Sequence, residues 1–68
     1  MAWQPMWQRA IDYINERGPI DATSNYEMIR LASYLGTCTS NTMGALRQAL
    51  LEGYLEERDG VYSRRTVR

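Results

Sequence analysis

Residues 31–53 read LASYLGTCTSNTMGALRQALLEG, and residues 54–65 continue YLEERDGVYSRR. Each boundary in this run carries a physical signal. Gly36 is suited to the left-handed conformation that turns a chain sharply at a helix end, and only Thr37, Cys38 and Thr39 follow before helical spacing resumes. A joint so short makes two helices cross steeply instead of lying antiparallel. The later helix is expected over about 40–52, starting at Thr39 or Ser40, with Ala45 or Leu46, Ala49 and Leu50 inward and Gly53 as its stop. Residues 54–58 and 61–64 alternate like strands, and Asp59-Gly60 between them is a strong two-residue turn signal, because both positions favour positive φ. An isolated hairpin is unstable, so this one must pack on the helices through residues such as Tyr54, Leu55 and Val61.

Upstream, a first helix is expected over about 4–17. Pro5 suits the first turn, where a missing N–H leaves nothing unpaired, and Met6 or Trp7, Ala10, Ile11 and Ile14 form an apolar stripe. Gly18 ends it, and Ile20 supplies a short strand in the connection. The run Ser24-Asn25-Tyr26-Glu27 is a capping box: the Ser hydroxyl accepts from the third amide, and the Glu carboxylate reaches back to the Ser amide. It starts a second helix over about 25–35, with Tyr26, Ile29, Ala32 and Leu35 on its inner face.

Sixty-eight residues make one small domain near the lower limit for a self-sufficient core. With 44% hydrophobic and 24% charged residues the chain is too apolar for a disordered tail. One cysteine, Cys38, precludes an intramolecular disulfide, and the absence of histidine precludes a Cys/His zinc cluster; no cofactor or metal is expected, and the setting is read as reduced and cytoplasmic. No apolar run reaches the roughly 20 residues that span a bilayer, and MAWQPMWQRA lacks the order of a signal peptide. General acid–base catalysis is disfavoured, because there is no histidine and the carboxylates are scattered. Charge is the awkward fact: eight arginines balance eight acids at a pI near 6.1, without the positive excess usual in a nucleic-acid-binding domain. Residues 1–63 hold five Arg against eight acids, while Arg64, Arg65 and Arg68 form a basic tail over 64–68.

The fold class expected is mainly α with a small β-hairpin, a three-helix winged helix-turn-helix with the wing over about 54–65. Ala32-Ser-Tyr-Leu-Gly36, the hydroxyl-rich helix start, Ala45-Leu46 and Glu52-Gly53-Tyr54-Leu55-Glu56 resemble the winged-helix core of GntR-type bacterial regulators. The length and the hairpin end are similar to small FaeA/PapI-like fimbrial regulators. The resemblance covers about residues 6–65 and implies DNA contacts from Thr39, Ser40, Asn41 and Met43, with Arg58 and Arg64 on the wing. It also shows departures. In the GntR pattern the positions of Thr39 and Met43 are commonly arginine, and that of Cys38 is usually a capping serine.

These features imply a small sequence-specific DNA-binding transcriptional regulator, acting on double-stranded DNA and as a homodimer. Ser40 and Asn41 would meet base edges in the major groove, Asn pairing bidentately with adenine. Arg47 is the lone cation of the later helix, and Arg58, Arg64 and Arg65 are the expected phosphate contacts. Trp3, Met6 and Trp7 are the expected dimer or partner surface. The competing expectation is a winged helix that binds a protein, such as a phage-type inhibitor or assembly adaptor. Neutral charge and the exposure expected of Trp3, Met6, Met28 and Tyr34 favour it.

Overall fold

The computed structural model describes residues 4–66. Trp3 and Arg68 therefore lie outside the described residues. In chain order the elements are α1 (Met6–Arg17), β1 (Ile20–Asp21), α2 (Asn25–Leu35), α3 (Thr39–Leu51), β2 (Leu55–Arg58) and β3 (Val61–Arg64). The strands form one antiparallel sheet in the order β1-β3-β2, with Ile20 opposite Tyr62 and the β2–β3 pairs running from Arg58–Val61 to Leu55–Arg64. Three helices with a small sheet ending in a hairpin are the layout of a winged helix-turn-helix.

Local chemistry fixes each joint. Pro5 is extended (φ −63°, ψ 154°) and serves as the cap before α1, one position earlier than the first helical turn the sequence suggested. Its carbonyl accepts from the Gln8 and Arg9 amides. Gly36 takes the left-handed conformation (φ 74°, ψ 36°), the Thr37 amide donates to the Ala32 carbonyl, and the Gly36 amide donates to the Ser33 carbonyl. This paired arrangement closes the end of α2 and frees the chain to begin α3 three residues later. The wing turn holds Asp59 at φ 54° and Gly60 at φ 84°, the positive values a two-residue hairpin needs.

The capping box at Ser24 forms by half. Ser24 Oγ accepts from the Glu27 amide at 3.3 Å, but Glu27 Oε1 accepts from the Asp21 amide at 3.0 Å instead of reaching the Ser24 amide. The Ser24 amide donates to the Asp21 carbonyl, so the strand before the helix takes up the bond the box would have made.

Ala10, Tyr13 and Ile14 of α1 meet Met28, Leu31 and Leu35 of α2, Ala45, Leu46 and Ala49 of α3, and Ile20, Leu55 and Tyr62 of the sheet. The α2 stripe corrects the expectation. Tyr26 and Ile29 are 67% and 56% exposed, and Met28, Leu31, Ala32 and Leu35 face the core. The i, i+3, i+4, i+7 spacing from Met28 keeps these four on one face, whereas Tyr26 turns out to pair with Arg30, whose Nη1 donates to its hydroxyl at 3.0 Å. Met28 is thus unavailable as a partner anchor, and Tyr34 is half-buried against Tyr13. On the hairpin, Tyr62 enters the core, Val61 is half-buried, and Tyr54 is 54% exposed.

Candidate functional site

The helix α3 begins after Cys38, which is extended and accepts, through its carbonyl, a hydrogen bond from the Thr42 hydroxyl at 2.9 Å. Thr42 is fully buried, so this bond anchors the first turn to the core and leaves its neighbours outside. Thr39, Ser40 and Asn41 are exposed, as the sequence suggested. Asn41 Nδ2 donates to Thr37 Oγ1 at 2.9 Å, which orients the amide while leaving a second N–H and the carbonyl oxygen for an outside partner.

Ser40, Gly44, Arg47 and Leu51 recur at i, i+4, i+7 and i+11 and are all exposed, so they line one outward row. Gly44, a residue that sequence reasoning missed, sits mid-helix with nothing within 4 Å of where a Cβ would stand. Met43 does not join this row. It packs against the core, and the Tyr62 hydroxyl donates to its sulfur at 4.0 Å. Half-buried in this way, it offers less of its side chain to an outside partner than Ser40 and Asn41 do.

The same Met43–Tyr62 contact orients the molecule. Tyr62 lies midway along β3, opposite Glu57, so Met43 meets the middle of the hairpin. Arg58 stands at the turn of the hairpin, beside exposed Glu57 and Asp59. The Glu57 carboxylate accepts from the Gly60 amide at 2.7 Å and locks the turn. Arg64 and Arg65 lie at the other end of the hairpin. Arg64 pairs with Leu55 at the open base of the hairpin, the Arg65 amide donates to the Tyr54 carbonyl, and its guanidinium lies over Gly53. The structure thus places Arg58 at the turn of the hairpin and Arg64 and Arg65 at its base, next to the chain that leaves α3. Counting pairs back from Asp59-Gly60 in a two-residue hairpin is the signal that would have shown this.

Cys38 is exposed. The free amides of Asn41 and Ser40 at the start of α3 hold its thiol below the ordinary range. Met6 and Trp7 are half-buried, and Trp7 stacks on Tyr54 with ring centroids 5.8 Å apart. Among the described residues no three of Cys, Asp and Glu come together as a group fit to hold a metal ion, and no helix is long and apolar enough to cross a membrane.

The order of helices and strands is that of a winged helix-turn-helix layout. Comparisons of the chain with protein-family models, curated proteins and solved structures give no match.

Proposed function

We propose that this chain is a small sequence-specific DNA-binding regulator that lays the outward row of α3 in the major groove and sets the wing turn against the backbone. The observation that carries the reading is the exposed start of that row: Ser40, Gly44 and Arg47, with Asn41 beside them, are polar or bare and project outward, while Thr42, Ala45, Leu46 and Ala49 hold the opposite face in the core. A glycine in an exposed helix interior destabilises by about 1 kcal/mol relative to alanine, and no internal neighbour demands one at Gly44. Close approach of an outside surface accounts for it. A helix is about 10–12 Å across and the major groove about 12 Å wide, so even one added methyl is felt there. The resemblance to GntR-type and fimbrial regulators supports the same reading.

The experiment is selection from a pool of random duplexes at low salt. A short preferred motif is expected, and Asn41→Ala should relax the preference at one position by about 1–3 kcal/mol while leaving non-specific binding intact. Absence of duplex binding at low salt removes the proposal.

One observation favours a second reading, a winged helix that binds a protein. Leu51 continues the α3 row and is 81% exposed, and the wing presents Glu56, Glu57 and Asp59 around a single Arg58. A stoichiometric partner that survives nuclease and high salt, and is lost on Leu51→Asp, would establish it.

A further inference from the structure

The outer face of α1 and the base of the wing carry a pattern that neither the core nor the α3 row uses. Trp7, Ile11 and Tyr54 form its apolar centre, with Tyr54 more than half exposed beside the half-buried Trp7. Two shallow grooves flank that centre and share Ile11 and Tyr54 as their common wall. One, of about 250 Å³, is bounded by Asp12; the other, of about 210 Å³, by Arg64 and Arg65. The face therefore bears an acid on one side of an apolar ridge and two guanidiniums on the other.

We propose that this face is a twofold interface joining two copies of the chain, the Trp7–Ile11–Tyr54 ridge meeting itself and Asp12 of each copy meeting Arg64 and Arg65 of the other. A twofold contact requires one patch to be complementary to its own rotated image. A ridge with opposite charges on its two flanks meets that requirement. An acidic partner would satisfy the arginines and strand Asp12, and a basic one would do the reverse. Only a surface with both signs in mirrored order answers both flanks, and the chain's own face has that order. Aromatic and arginine side chains are the usual anchors of such contacts.

The inference does not rest on DNA binding, and its test contains no nucleic acid. In sedimentation equilibrium the full chain is expected to be a dimer. Arg64→Glu with Arg65→Glu in one variant, and Asp12→Arg in another, should each weaken dimerisation by at least about tenfold, because like charges then face one another. Mixing the two variants should restore a mixed dimer, since one flank is then unaltered and the other has merely exchanged signs. Circular dichroism checks that each variant is folded, and Arg64→Glu alone replaces the double change if Arg65 proves necessary for folding. A monomeric parent chain, a variant that dimerises as well as the parent, or a mixture of the two variants that stays monomeric would each overturn the proposal.

Discussion

Gly44 and Cys38 bracket the first turns of α3 and make opposite demands on the chain. At Gly44 the fold itself would accept a side chain, because the space around the missing Cβ is open and the backbone is helical. Gly44→Ala is therefore expected to raise unfolding free energy by about 0.5–1 kcal/mol in urea titration. On the duplex reading the same methyl should weaken binding by roughly tenfold or more, the scale of one good base contact. A variant both more stable and equally tight would show that nothing approaches the helix there. Cys38 reports on the start of the same helix, six residues before Gly44. Its thiol is exposed and lies among amides that favour the thiolate, so alkylation by iodoacetamide should reach half its limiting rate below the pH of about 8.5 typical of a free cysteine. On the duplex reading, bound DNA should slow that reaction, because a groove that receives Ser40 and Asn41 also covers Cys38, two residues before Ser40.

Between elements, the seam of α1 and α2 is held by arginines laid across tyrosines. Arg9 Nη2 donates to the Tyr34 carbonyl at 2.8 Å and Nη1 to the Leu35 carbonyl at 3.3 Å, so a side chain of one helix satisfies the last carbonyls of the next. Arg17 lies 4.8 Å from the Tyr13 ring centre and 5.9 Å from that of Tyr34. Arg9→Met keeps the apolar stem and removes the donors. It should lower stability by about 1.5–3 kcal/mol, seen as a lower urea midpoint at unchanged slope. This contact joins residues 25 and 26 positions apart and leaves no trace in local periodicity. By contrast, Ser24, Gly36 and Asp59-Gly60 act through their own backbone neighbours, which is why the bounds of α2, the turn and the wing were legible in the sequence. The inner face of α2 was not. Two apolar stripes compete on that helix, Tyr26–Ile29 and Met28–Leu31, and only the position of α1 and α3 decides between them.

At the scale of the whole molecule, zero net charge resolves into two unlike ends. The turn of the hairpin carries Arg58 among Glu57 and Asp59, and its base carries Arg64 and Arg65 beside α1. The sequence grouped all these arginines because a charge count along the chain does not register that β3 runs away from the turn. The division has a thermodynamic consequence. Each phosphate neutralised on B-DNA contributes about −0.9 to the slope of log K against log salt. On the proposed duplex reading, with Arg47 on the outward row of α3 and Arg58 at the wing turn as the phosphate contacts, the slope should be about −1.8 per bound copy, doubling for a dimer on two half-sites. Arg47→Ala should reduce it to about −0.9 per copy, whereas changes at Arg64 and Arg65 should leave the slope per copy as it is, whatever they do to assembly. Fluorescence anisotropy over a salt series, with stoichiometry fixed by sedimentation, measures this directly. A slope near −3.6 per copy would mean that four arginines reach phosphates, that the hairpin base faces the duplex, and that the α1 face is not free to hold a second copy.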